Sequence, residues 1–168
     1  MEANPGEASL EYLKDIKSLG INRISMGFQS LDDNTLKILG RLHDSKDCLE
    51  TFQNVRKAGF DNINTDMIFN IPNLTVNNWK KDLNKLLELE PEHISAYSLT
   101  VEPSTQLFNL VKRKEIIMPI EDTDIEQFLV TEDILMQNGY NHYEVSNYSK
   151  KNKECLHNLH YWNLSPSL

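Results

Sequence analysis

Two runs with period-two alternation, Ile24, Met26, Phe28 and then Ile63, Thr65, Met67, Phe69, are separated by segments whose apolar residues recur at helical spacing. In the first run Arg23, Ser25 and Gly27 fall on the opposite face; in the second, Asn62, Asn64, Asp66 and Ile68 do. A third strand is expected over 93–99, after the turn Glu90-Pro91-Glu92. The helical segments are 7–19 (Leu10, Leu13, Ile16, Lys17, Leu19), one capped by Asp32 or Asp33 and carrying Leu36 and Leu39, one from Ser45 (Leu49, Phe52, Val55, Ala58), and 75–89 (Trp79, Leu83, Leu86, Leu87). Gly20 and Gly59 are natural stops for two of them. Each crossover is long enough to join parallel neighbours, so the expected class is α/β with a parallel sheet. Glu2 to Pro5 reads as the end of one more strand. After Glu102-Pro103 a helix runs to Lys112-Arg113-Lys114, and Pro119 breaks the chain. Asp122 or Thr123 opens a longer helix to Gly139, and 140–148 alternates like an edge strand outside the parallel sheet.

Composition narrows the function classes. The 168 residues hold a real core but are short for a complete (β/α) barrel. The net charge is -8 and the Lys and Arg residues are scattered, which excludes a basic nucleic-acid stripe. Cys48 and Cys155 are far apart and cannot by themselves make a zinc or iron–sulfur site. No signal peptide, lipidation motif or transmembrane segment is visible, so a reducing, cytoplasmic setting is the default and peripheral membrane contact is left open. Met1 to Pro5 resembles the exit of a strand with no strand before it, and Ser165-Pro166-Ser167-Leu168 stops just after an aromatic cluster. The expectation is a fragment, or a gene model that lost both ends.

Three places carry candidate chemistry. Gln29 falls at the carboxyl end of its strand, where parallel α/β sheets hold ligands, and Arg41 lies one helix later. On these residues alone the simpler reading is that Gln29 caps the next helix and Arg41 makes a surface ion pair. Asp66 is a carboxylate within an apolar strand, costly to bury without a partner. It suits a ribose hydroxyl or a cationic group, and equally a carboxylate satisfied by backbone amides or by Arg23. Glu2 shares that logic at its own strand end. Together Glu2, Gln29, Arg41 and Asp66 would line the carboxyl edges of successive strands. The third place is His157-Asn158-Leu159-His160-Tyr161-Trp162, in which two imidazoles three residues apart can share a helix face or bracket a ligand. Imidazole is a common iron ligand, but periodicity alone favours an aromatic cluster of core or interface.

These residues sit in segments that resemble the radical S-adenosylmethionine family, which contains the oxygen-independent coproporphyrinogen III oxidases and a haem-chaperone branch. The segments are Glu2-Ala3-Asn4-Pro5, Gly20 to Ser30, Leu39-Gly40-Arg41-Leu42-His43, Ala58-Gly59-Phe60, Asn64 to Phe69 and Pro91 to Thr100. The chaperone branch fits better, on Tyr97-Ser98-Leu99-Thr100-Val101-Glu102-Pro103, Tyr143 to Tyr148 and the motif at His157 to Trp162. The resemblance implies part of a partial (β/α) barrel over residues 1–118 and the start of a small α+β extension over 119–168. It implies that Glu2, Gln29, Arg41 and Asp66 contact S-adenosylmethionine, that His157 is the leading haem-ligand candidate, and that His160 is the second. It implies haem and haem-accepting proteins as partners.

The family's CxxxCxxC loop, which holds a [4Fe–4S] cluster, is not among these residues; in the family it lies upstream of the position of Glu2. Asn70 and Asn73 stand where the family usually has glycine, and the glycine-rich stretch expected after Trp162 is missing. The rival readings are a coproporphyrinogen III oxidase and a cluster-free binding module.

Overall fold

Strand β3 (Ile63–Phe69) lies inside the sheet because its alternate residues can face two different environments. Ile63, Thr65, Met67 and Phe69 are buried against helices, while Asn64 and Asp66 point to the other side. The strands β2 (Ile24–Gln29) and β4 (His93–Ser98) run parallel on either flank. β1 (Glu2–Ala3) pairs with β2 and sets Glu2 opposite Ser25. Beyond β4 the sheet continues with β6 (Asn147–Ser149) and then β5 (Asn141–Glu144), both antiparallel pairings, giving the order β1-β2-β3-β4-β6-β5. The computed structural model describes residues 1–162; the closing segment Ser165–Leu168 lies outside them.

The crossovers are α1 (Leu10–Ser18), α2 (Asp33–Ile38) with α3 (Ser45–Lys57), and α4 (Val76–Leu87). Ser9, Asp32, Asp44 and Thr75 cap their first turns through side-chain oxygens, and Asp44 with Asp47 forms a capping box. Leu13, Phe52, Val55, Trp79, Leu83 and Leu86 then close over Ile24, Met26, Phe28, Ile63, Met67 and Ile94. Each such side chain contributes about 1.5–3 kcal/mol on burial, which is what holds the helices on this face.

Later come α5 (Gln106–Lys112), α6 (Glu121–Gln137) and α7 (Leu156–Trp162). α6 packs on α4, β3 and β4. Its buried Gln127 takes the Asn70 N–H at 2.8 Å and donates to the Leu74 carbonyl at 2.9 Å, and Thr131 accepts from the Trp79 indole at 2.7 Å. These bonds pin the loop that follows β3. Among the described residues no helix is long and apolar enough to cross a membrane.

Four local expectations are corrected. The single edge strand over 140–148 is a hairpin, and it continues the sheet instead of lying outside it: β6 satisfies the free edge of β4, which would otherwise present unpaired backbone groups. Leu49 is half-exposed and Cys48 takes the inward position on α3. Leu19 is 82% exposed because it is the cap of α1 and not part of its packed face. α6 begins one residue earlier than Asp122, with no side-chain cap; Glu121, Asp122 and Asp124 favour its positive end instead.

Asn70 and Asn73 both hold positive φ, 60° and 65°, the region where glycine is favoured and asparagine tolerated. Asparagine therefore takes these two positions at less backbone cost than a β-branched residue would. Asn73 is exposed in a turn closed by the Leu74 N–H to Ile71 carbonyl bond of 3.0 Å. Asn73→Gly should leave the urea midpoint unchanged or higher, whereas Asn73→Val should cost about 1–2 kcal/mol. Equal midpoints for the two variants would contradict this account of the loop.

Candidate functional site

Opposite the helices, the strands present a concave polar face. Arg23, Ser25 and Gln29 from β2 and its approach, Asn64 and Asp66 from β3, and His93 and Ser95 from β4 line an open pocket of about 540 Å³. Glu2 and His157 line it as well. An adjoining pocket of about 300 Å³ gathers Glu2, Gln29, Arg41 and Asp66 with Asn4 and Gly27. All the residues singled out at the strand ends therefore meet in space, and His157 shares the larger cavity with three of them. His160 does not: it is exposed and lines neither pocket.

Each position has a local cause. β2 carries a register shift between Met26 and Gln29 against β3, and Gln29 leaves the strand at φ 68°. Gly27 gives its side chain room, since a Cβ there would sit 3.1 Å from the Gln29 amide nitrogen. Gln29 does not cap α2; Asp32 does, accepting from Thr35 N–H at 2.8 Å. α2 ends on Gly40 at φ 68°, and the Arg41 N–H returns to the Leu36 carbonyl at 3.0 Å. This turn sends the guanidinium back to the Gln29 Oε1 at 3.0 Å, not into a surface ion pair. Gln29 lines both pockets, and Arg41 is left with further donors for an anionic group.

Asp66 is mostly buried, and burial pushes its carboxyl above the ordinary carboxylate value. Hydrogen bonds from Asn64 (Nδ2 to Oδ1, 2.7 Å) and Ser25 (Oγ to Oδ2, 3.2 Å) and the Arg23 charge act against that shift. The partners are side chains, as one of the sequence alternatives had it only for Arg23; none is a backbone amide. A desolvated carboxylate facing a cavity gains most from a ligand that brings hydroxyl donors or a positive charge.

Several residues of this face were not singled out from the sequence. Ser25, Asn64, His93, Ser95 and Tyr143 complete the polar layer. Asp82 supports it from behind: buried on α4, it accepts from Ser30 Oγ at 2.5 Å and Leu31 N–H at 3.2 Å, fixing the chain just past Gln29. Its spacing from Trp79 and Leu83 put it on the inward face of α4, which was the available signal.

A parallel sheet covered by helices on one side, with polar strand residues converging on a cleft on the other, defines an incomplete (β/α) barrel with its ligand face open. Residues 1–86 match the Radical SAM superfamily, and the chain belongs to that family. It is 38% identical over 162 residues to the haem chaperone HemW of Bacillus subtilis, covering 96% of this chain and 43% of that protein. It is 36% identical over 162 residues to the mitochondrial radical S-adenosyl methionine domain-containing protein 1 of Danio rerio, covering 96% of this chain and 36% of that one. The solved coproporphyrinogen III oxidase HemN of Escherichia coli superposes with a TM-score of 0.78 at 23% identity, over 90% of this chain and 35% of the oxidase. The chain thus spans about two fifths of the length of the curated relatives it matches.

Burial lowers the His93 imidazole from 6.5 to about 3. The native ring therefore stays neutral where an unfolded chain would already bind a proton, so stability is lost as pH falls below the unfolded value. From about pH 6 to pH 4, unfolding free energy should fall more steeply for the native sequence than for His93→Gln, by up to about 1.4 kcal/mol per pH unit. The raised carboxyls of Asp66 and Asp82 act with the opposite sign and are common to both proteins. Equal slopes in urea titrations across that range would contradict the neutral, buried histidine.

Proposed function

We propose that this chain forms the part of a HemW-like radical S-adenosylmethionine protein that holds S-adenosylmethionine and contributes to haem binding, for delivery to haem-requiring proteins. The observation that supports it is the single cavity lined by Glu2, Gln29, Asp66 and His157, with Arg41 in the adjoining one. The carboxylates of Glu2 and Asp66 suit ribose hydroxyls or an ammonium group. Gln29 and Arg41 suit the polar end of a methionine moiety, one as a neutral amide and one as a guanidinium fork. His157 is exposed at the cavity and offers an imidazole to iron.

The cluster is a different matter. The chain has two cysteines, Cys48 and Cys155, whereas a cluster of this kind needs three thiolates. Cys48 is fully buried with its thiol pushed up to about 12, and no group of three metal-ligating side chains occurs among the described residues. These residues do not fit a [4Fe–4S] cluster.

Two titrations test the reading. In calorimetry, S-adenosylmethionine should bind the chain, and Asp66→Ala should weaken it at least about tenfold, as expected for losing a charge-assisted contact. In absorbance titrations of the full-length gene product, His157→Ala should lose the haem band while His160→Ala keeps it. Unchanged binding in Asp66→Ala or in His157→Ala would overturn the respective assignment. Carbon dioxide release from coproporphyrinogen under anaerobic conditions would favour an oxidase instead.

A further inference from the structure

Between the Asp66 carboxylate and the helix that carries His157 runs a continuous line of hydrogen bonds. His93 is 1% exposed and uses both ring nitrogens: Nδ1 lies 2.5 Å from the Asn64 Oδ1, and Nε2 lies 2.7 Å from the Tyr143 hydroxyl. The Asn64 Oδ1 is an acceptor and also takes the Ser95 hydroxyl at 3.2 Å. The proton therefore sits on Nδ1, which donates. A neutral imidazole has a single N–H, so Nε2 accepts, and the proton in that bond comes from Tyr143. The Tyr143 oxygen, its one proton committed, accepts the Cys155 N–H at 3.2 Å, at the residue before α7 begins.

On the other side the Asn64 orientation is fixed as well. With its oxygen facing His93, its Nδ2 donates to Asp66 Oδ1 and to Ser25 Oγ, both at 2.7 Å. Every donor in the line points the same way, from the Cys155 main chain through Tyr143, His93 and Asn64 to Asp66. Such aligned bonds polarise one another and end on the one full negative charge of the series. Reversing any member would leave two acceptors or two donors face to face in a buried site, at the cost of an unsatisfied group. The Tyr143 ring also packs edge-on against His93, with centroids 5.6 Å apart.

We propose that Tyr143 and His93 are positioning residues that tie the first turn of α7, and the His157 it carries, to the orientation of Asp66, so that a ligand held at one end of the cavity stabilises the other end. This rests on the reading of Asp66 and His157 as ligand-binding groups. A ligand that fixes the Asp66 carboxylate narrows the rotamers open to Asn64, and through His93 and Tyr143 it orders the chain at Cys155. By linkage, ordering α7 strengthens binding at Asp66 by the same factor.

The test uses Tyr143→Phe, which keeps the ring and removes the hydroxyl. Long-range nitrogen NMR on the chain should find the native His93 as the neutral Nδ1–H tautomer. Without ligand, Tyr143→Phe should speed amide exchange over 155–162 about fivefold, the loss expected from one hydrogen bond, with α5 unchanged. With S-adenosylmethionine as the probe, exchange over 155–162 should slow in the native chain and not in Tyr143→Phe. An Nε2–H tautomer, or equal slowing in both proteins, overturns the proposal. If S-adenosylmethionine binds neither protein, the functional reading of Asp66 fails, and the tautomer with the ligand-free exchange still decides the positioning role.

Discussion

Strands β2, β3 and β4 are parallel and covered by helices on one side, so their other face must satisfy its own polar groups. The parallel register makes this possible by setting Ser25 beside Asn64 and Asn64 beside His93, with Asp66 beside Ser95. Hydrogen bonds between these neighbours make one polar layer that converges on the Asp66 carboxylate. The apolar side supplies the stability. The polar side, held rigid by that packing, can keep a desolvated carboxylate open to a cavity.

The same division explains what the sequence made legible. Alternation in Ile24–Phe28 and Ile63–Phe69 is a direct consequence of one buried and one polar face, and Asp66 stood out because a carboxylate interrupts a buried strand. The strand-end logic also placed Glu2, Gln29 and Arg41 together, and the structure gathers them in one pocket lining. What stayed hidden depends on register and on turns. Asn64 and His93 are 29 residues apart, and only the β3–β4 register makes them partners. The hairpin was missed because Val145-Ser146 turns without glycine or proline, so the alternation over 140–148 runs on unbroken. Asp82 was readable as an inward position on α4, but its donors at Ser30 and Leu31 depend on how that helix docks.

The extension after Pro119 bears on the cleft in two ways. α6 clamps the loop that follows β3 through Gln127, and β6 covers the edge of β4, so both steady the strands that carry Asp66 and His93. Through Tyr143 on β5, the same segment reaches the polar layer itself. Residues on both sides of Pro119 thus share one sheet, and the cavity is lined from both.

On the proposed reading, S-adenosylmethionine sits on the open polar face and on no other surface. Side-chain amide and methyl NMR of the isotopically labelled chain during titration with S-adenosylmethionine tests it most directly. The account predicts that the side-chain amides of Gln29 and Asn64 shift together and saturate at one concentration, while the methyl groups of Leu83 and Leu86 on the helical side stay in place. Saturable shifts confined to the helical side, with Gln29 and Asn64 unmoved, would contradict it.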